Sequence, residues 1–274
     1  MTDTDDTFQV RGKRAIITGG SRGVGRGLVL GLARAGVDVV VASRDQKSCE
    51  SVAARAREFN VRAEAISCHV GRWDALPEFV AKCWDALGGI DILVNNAGIA
   101  PVAPRMVDFT EELVDKTLAV NLKGPFRLST LVGQRMVDEG IPGSIINISS
   151  GSAEQPGPKT AAYAAAKAGL NALTMALAIE YGPSVRVNTI GLGPVRSDAT
   201  ASWIDSETFL ASARDGMAIG RPADPSEIVG TVLYLAGPAA SFTTGAVLRV
   251  DGGIHGAVGA YARDTRNQAH TRVS

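Results

Sequence analysis

Short apolar runs alternate with longer amphipathic stretches along nearly the whole chain. Lys13–Thr18, Asp38–Ser43, Arg62–Ser67, Ile90–Asn95, Ser144–Ser149, Ser184–Ile190 and Ala246–Val250 are each short, and all but Arg62–Ser67 are rich in Val and Ile. Turn residues bound them, so they are predicted to be buried strands. The stretches between carry apolar residues at helical spacing; over 72–87, for example, Leu76, Phe79, Val80 and Leu87 fall on one face. Helices are likewise predicted over 22–35, from Asp45 to about Phe59, from about Glu111, from about Pro158, and over 225–236. Strand–helix alternation without repeat or linker predicts one doubly wound α/β domain over 1–274. Its seven-stranded, mainly parallel sheet should carry helices on both faces. Three segments fall outside the alternation. Residues 1–10 read as a flexible N-terminal tail, and 254–274 as a C-terminal extension, either disordered or laid over a partner subunit. Residues 196–220 carry Trp203, Ile204, Phe209, Leu210 and Met217, and read either as a substrate lid or as an ordinary packed helical excursion.

Charge and composition narrow the function. Lys plus Arg and Asp plus Glu number 28 each, which leaves no electrostatic footprint for nucleic acid or an anionic membrane. The three cysteines (Cys49, Cys68, Cys83) and three histidines show no metal-ligand spacing, so no metal site is expected, and reduced thiols suit a cytoplasmic protein. The first ten residues, MTDTDDTFQV, lack the apolar core of a signal peptide. The apolar window Ala161–Ile179 is interrupted by Lys167 and Asn171, and reads as a buried or interface helix rather than a membrane span.

Candidate chemistry begins at the first strand-to-helix turn, GGSRGVG. Gly19, Gly23 and Gly25, with Ser21, Arg22 and Val24 between them, lie where backbone N–H groups approach a pyrophosphate at a helix N-terminus. A tight turn without ligand has the same look. The second strand ends in Ser43-Arg44, where an acidic side chain would hold the ribose of NAD and an Arg the 2′-phosphate of NADP. Arg44 with Arg22 favours NADP(H); Asp45 fits better as the N-cap of the next helix. His69, before Val70 at the end of the third strand, either meets the adenine edge or caps a turn. Asn96, Ala97 and Gly98 suit close approach to a flat cofactor or, equally, a plain turn. Asn121, an unfavourable interior helix residue, either caps a kink or holds a water near the reaction centre.

The stretch Ser144–Leu173 organises the rest. Ser149 and Ser150 close a strand at the sheet edge where open α/β sheets bind ligands. Tyr163 and Lys167 follow at i and i+4 on one helix face. A phenol beside an ammonium has its pKa lowered from about 10, which suits it to proton exchange with a carbonyl or alcohol oxygen. The YxxxK spacing alone does not decide the matter.

Together, TGGSRGVG (18–25), NNAG (95–98), Asn121, Ser150, YAAAK (163–167) and VDGG (250–253) make the chain resemble the short-chain dehydrogenase/reductases from Arg11 to Gly253. The resemblance implies a single-domain Rossmann fold and a catalytic tetrad: Tyr163 as general acid/base, Lys167 on the nicotinamide ribose, Ser150 on the substrate oxygen, and Asn121 holding a relay water. It implies that Val195 and Ser197 join the cofactor contacts, and that the chain forms a homotetramer packed through the Tyr163 and Asn121 helices. His69 stands where Asp is usual, Leu192-Gly193 where Pro-Gly is usual, and Ser197 where Thr is common. The expected activity is NADP(H)-dependent hydride transfer to or from a secondary alcohol or ketone, as in 3-oxoacyl reductases and related carbonyl reductases. An NAD(H)-dependent alcohol dehydrogenase of the same family is the alternative. A non-catalytic cofactor sensor would be expected to have lost Tyr163, Lys167 or Ser150. A nucleotide-sugar epimerase would be expected to have TGxxGxxG and a larger C-terminal domain. The substrate is expected to be neutral and moderately hydrophobic, with Arg105 or Arg196 available to an anionic group.

Overall fold

A computed structural model describes residues 8–198 and 200–254. The strands are β1 (Arg14–Thr18), β2 (Asp38–Ser43), β3 (Ala63–Ser67), β4 (Ile92–Asn95), β5 (Gly143–Ser150), β6 (Val185–Leu192) and β7 (Val247–Val250). The helices are α1 (Gly23–Arg34), α2 (Gln46–Arg57), α3 (Leu76–Leu87), α4 (Glu111–Leu118), α5 (Gly124–Asp138), α6 (Ala161–Tyr181), α7 (Glu207–Gly216) and α8 (Ser226–Ala236). The seven strands form one sheet in the order β3-β2-β1-β4-β5-β6-β7. Every pairing is parallel, where the sequence pattern predicted a mainly parallel sheet.

Because both faces are covered, the strands read as nearly continuous apolar runs whose side chains alternate between two cores. Ala15, Ile17, Val39 and Val41 face α1, α2 and α8 through Leu28, Val52 and Ile228. Ile16, Val40, Leu93 and Ile145 face α3, α5 and α6 through Phe79, Leu128 and Leu177. Helix α6 with its lead-in turn, residues 158–181, is long and apolar enough to cross a membrane by composition. Here it lies along the sheet with Leu170 and Leu177 buried.

The strand order reverses between β1 and β4, which opens a crevice at the carboxyl ends of the strands. Val10 is buried in the core beside α1, so the boundary expected for the N-terminal tail falls before it. The segment 196–220 contains one regular helix, α7, capped by the Ser206 side chain. Its two ends are joined at the bridge between Val195 and Ala223. Apart from Ile254, the C-terminal extension lies outside the described residues.

Helices α4 and α5 run on through a single π-helical turn, Ala119–Lys123, with Asn121 at its middle. Asn121, expected either to cap a kink or to hold a water near the reaction centre, thus sits in a widened turn, a feature common at functional sites.

Candidate active site

The crevice is a cavity of about 1040 Å³, larger than a drug-sized ligand needs and roomy enough for a dinucleotide with a substrate beside it. Its walls include Gly19, Ser21, Arg22, Gly23, Val24, Gly25, Ser43, Arg44, His69, Val70, Asn96, Ala97, Gly98, Ser150, Tyr163, Lys167, Val195 and Ser197. Every cofactor or catalytic position read from the sequence therefore lines it, apart from Asn121, which is fully buried beneath.

At one end, α1 begins at Gly23, and its unpaired first-turn N–H groups form the kind of anion site a pyrophosphate takes. A Cβ on Gly25 would lie 2.1 Å from Gly19 O, so only glycine lets the loop fold back on the helix. Gly23 has φ +51, and a Cβ there would meet the Ser197 Cβ at 2.8 Å. The segment after β6 is thereby seated against the glycine loop. Ser197 itself is fixed by Thr200, whose Oγ1 accepts from the Ser197 N–H (2.9 Å) and donates to Val195 O (2.9 Å). Thr200 was not legible as a site residue.

Arg22 and Arg44 are exposed on the cavity wall, and neither is in an ion pair among the described residues. Asp45 is the N-cap of α2: its carboxylate accepts from the Ser48 N–H (2.9 Å) and from the Ser48 hydroxyl, and these bonds hold it below its ordinary pKa. That carboxylate is committed to the helix, as the sequence suggested. His69 caps the next turn by accepting the Gly71 N–H on Nδ1 (3.1 Å), while its ring still borders the cavity.

The NNAG segment serves the scaffold first. The Asn96 side chain donates to Thr18 O (2.9 Å), and the Thr18 hydroxyl accepts from the N–H groups of Asn96 and Ala97 (3.0 and 3.1 Å). Asn121 is pinned in the same way. Its Nδ2 donates to Ile99 O (2.8 Å) and Thr117 O (2.9 Å), and its Oδ1 accepts from the Ile99 N–H (3.1 Å). Its side chain thus ties the floor of the cavity to the loop after β4. Thr18 opens the TGGSRGVG motif, but nothing in the sequence shows that its hydroxyl meets the NNAG backbone, and Ile99 carries no motif at all.

At the other end, β5 and α6 bring Ser150, Tyr163 and Lys167 together. Lys167 is 3% exposed, and its Nζ donates to Ile148 O at 2.7 Å, 5.8 Å from the centre of the Tyr163 ring. Burial pushes its pKa down to about 8. Tyr163 departs from expectation. Burial raises its pKa, and the hydrogen bond with Ser150 offsets this only in part, so the site without ligand holds a protonated phenol. Ser150 Oγ also accepts the Ser152 N–H at 3.1 Å. Beyond this cluster the cavity is lined by Ser152, Gln155 and Thr160 and by Ile99, Trp203 and Ile254.

Neither arginine considered for an anionic substrate lines the cavity. Arg105 pairs with Asp108 (2.6 Å), and Arg196 pairs with Asp205 (2.9 Å) within the 196–220 segment and with Asp224 (3.3 Å) just beyond its far end. The three cysteines are free. Cys68 borders the cavity, and desolvation pushes its thiol up to about 12. Among the described residues no cluster of potential metal ligands occurs.

Residues 19–255 match the family model described as enoyl-(acyl carrier protein) reductase. A short chain dehydrogenase/reductase of Aspergillus oryzae is 37% identical over 93% of this chain and 99% of its own. The L-xylulose reductase of Bos taurus is 32% identical over 90% of this chain and 98% of its own. The crystal structure of a gluconate 5-dehydrogenase from Burkholderia cenocepacia J2315, in complex with NADP and tartrate, superposes with a TM-score of 0.86. It is 31% identical and covers 91% of this chain and 97% of its own.

Proposed function

The chain belongs to the short-chain dehydrogenase/reductases, and from that membership we propose that it is an NADP(H)-dependent oxidoreductase that interconverts a secondary alcohol and a ketone. The observation that carries this reading is one cavity with Arg22 and Arg44 at one end and Ser150, Tyr163 and Lys167 at the other. The glycine loop and the start of α1 fit a dinucleotide between them. A bound nicotinamide supplies or accepts the hydride.

The protein's own groups handle the oxygen and the proton. In the reductive direction the Tyr163 hydroxyl donates its proton to the carbonyl oxygen as that oxygen gains charge, and the Ser150 hydroxyl steadies the same oxygen with a hydrogen bond. The phenol, kept protonated by burial, is in the right state to donate. Lys167 holds a cationic donor beside the phenol, and this favours the phenolate left behind. Asn121 keeps the floor of the cavity in register. In the oxidative direction the same groups run in reverse.

NADP(H) is supported over NAD(H) by two arginines that have no carboxylate partner among the described residues, at the adenosine end, and by the commitment of Asp45 to its helix. The relatives named for L-xylulose and gluconate chemistry make small hydroxylated ketones the first compounds to test, and Ser152, Gln155 and Thr160 offer them hydrogen bonds. Pairing of Arg105 and Arg196 argues for a neutral substrate. We also assign the 196–220 segment as a lid, the exposed Met175 and Ile179 of α6 and Val137 of α5 to a tetramer interface, and the protein to the cytoplasm on the strength of its free thiols.

The test is a fluorescence titration with NADPH and NADH side by side, followed by turnover of a ketose and diketone panel. NADPH should bind at least tenfold more tightly, and Arg44→Ala should erase that preference. Tyr163→Phe should lower kcat by 10²–10⁴-fold. A wild-type preference for NADH would move the assignment to the NAD(H) alternative. Tyr163→Phe activity within a few-fold of wild type would refute the proton-transfer role.

A further inference from the structure

Below the reaction centre, the core between the sheet and α5/α6 contains a row of polar side chains. Asn95, Asn147 and Thr189 stand side by side on β4, β5 and β6, in register, and face the same helices. None is more than 2% exposed, and Ser129 of α5 and Thr174 of α6, which meet them, are fully buried. Asn95 Nδ2 donates to Ser129 Oγ and to Asn147 Oδ1, both at 2.9 Å. Asn147 Nδ2 donates to Thr174 Oγ1 at 2.8 Å, and Thr174 Oγ1 lies 2.7 Å from Thr189 Oγ1 and donates to Leu170 O at 2.9 Å.

Stability does not account for this row. Apolar side chains of the same shape would pack there at little or no cost, while Asn95 Oδ1 stays buried with no partner among the described residues. The row supplies direction instead. Helix α6 is rich in alanine, and Ala164, Ala166 and Ala178 are among its buried residues. Small side chains make shallow ridges, which resist sliding and tilting weakly. At its first buried turns the helix is tied to β5 by Lys167 Nζ on Ile148 O and by Ser149 Oγ on Lys167 O (3.3 Å). Thr174 follows Lys167 by seven residues, two turns and about 10 Å along the axis. One tie alone would leave the helix free to pivot; a second tie at that distance fixes its tilt. Asn147, at the other end of that tie, stands three residues before Ser150 on the same strand.

We propose that Asn147 and Thr174 are positioning residues that hold Tyr163 on α6 at proton-transfer distance from the oxygen bound by Ser150 on β5. The proposal rests on the reductase reading. Displacement of a reacting group by about 1 Å can cost about 10²-fold in rate. The hydroxyl is removed in Thr174→Val and kept in Thr174→Ser; Thr174→Ala stands in if the valine variant does not fold. NADPH with diacetyl as the probe substrate reads kcat and KM separately. Ultraviolet difference titration near 295 nm, each protein against its own Tyr163→Phe partner, reads the Tyr163 phenol without substrate.

Thr174→Val should lose at least tenfold in kcat with KM changed less than twofold, and its Tyr163 titration should move; Thr174→Ser should restore both to within twofold. A Thr174→Val protein with kcat within twofold of wild type and a superimposable Tyr163 titration overturns the proposal, whatever its stability. If the wild type does not reduce diacetyl, the fault lies with the activity reading for that compound, and the Tyr163 titration alone decides: a moved curve supports the positioning role and an unmoved one overturns it.

Discussion

Lys167→Met should make the ligand-free protein more stable and the enzyme inactive. The side chain is 3% exposed and its one hydrogen bond goes to Ile148 O. Burial takes its pKa from 10.5 to about 8. At 1.36 kcal/mol for each tenfold change in proton affinity, keeping the ammonium buried costs about 3 kcal/mol. The folded value lies below the unfolded one, so between the two the unfolded chain binds the extra proton and stability rises with pH. The cost is therefore fully present below about pH 8 and is relieved as pH climbs toward 10.5. By the same linkage, about 2 kcal/mol should be recovered between pH 7 and pH 9.5.

Methionine has similar length and no charge, but it leaves Ile148 O without its donor, at about 1–3 kcal/mol. The net gain at pH 7 is then up to about 2 kcal/mol. Urea unfolding of wild type and Lys167→Met across this pH range measures the difference directly. The gap between the two proteins should change by about 2 kcal/mol in favour of wild type as pH rises. A gap that stays constant from pH 7 to 9.5 would show that the ammonium is not carried at a cost, and the reasoning fails.

Two further substitutions test the frame of the site. In Gly25→Ala the new methyl would stand 2.1 Å from Gly19 O and 2.5 Å from Asn96 Nδ2, neither free to retreat. Overpacking of this kind should cost about 3 kcal/mol or weaken NADPH binding at least tenfold, and wild-type values in both urea unfolding and cofactor titration would contradict it. Arg196→Ala breaks two partly exposed ion pairs, one within the 196–220 segment and one that spans it. Overall stability should fall by less than about 1 kcal/mol. Limited proteolysis within 199–206 should quicken about fivefold, and an unchanged cleavage rate would mean that the clamp does not hold the segment.

The architecture was legible because each strand is bounded by turn residues and each helix has an apolar face, and both patterns follow from local chemistry. The cavity wall was legible where function demands particular residue types: glycines at 19, 23 and 25, arginines at 22 and 44, and the Ser150, Tyr163 and Lys167 trio. What stayed hidden depends on contacts distant in sequence. Thr18 reaches Asn96 and Ala97, 78 and 79 residues away, and Asn121 reaches Ile99 across 22. Arg196 and Arg105 looked free because their carboxylate partners are identified only once the chain has folded. The rise in the Tyr163 pKa was missed for a related reason. Spacing says that Lys167 is near, but only the packed structure shows how much water both groups have lost.

The π-helical turn at Ala119–Lys123 has a consequence for how this chain tolerates change in length. An α-helix advances about 100° per residue, so one extra residue in a turn shifts the phase of everything after it by that angle. Helix α4 and the wide turn can thus present Lys116 and Val120 to the cavity while α5, continuing the same rod, turns Leu128, Val132 and Met136 into the core. Deleting a residue of 119–123 other than Asn121 would close the wide turn and set Pro125 in the interior of a continuous α-helix, where it loses a backbone hydrogen bond. It would also swing the core stripe of α5 a quarter-turn out of the sheet and separate Asn121 from Ile99. The segment is a gear with one added tooth: removing the tooth leaves a cavity floor that no longer meshes.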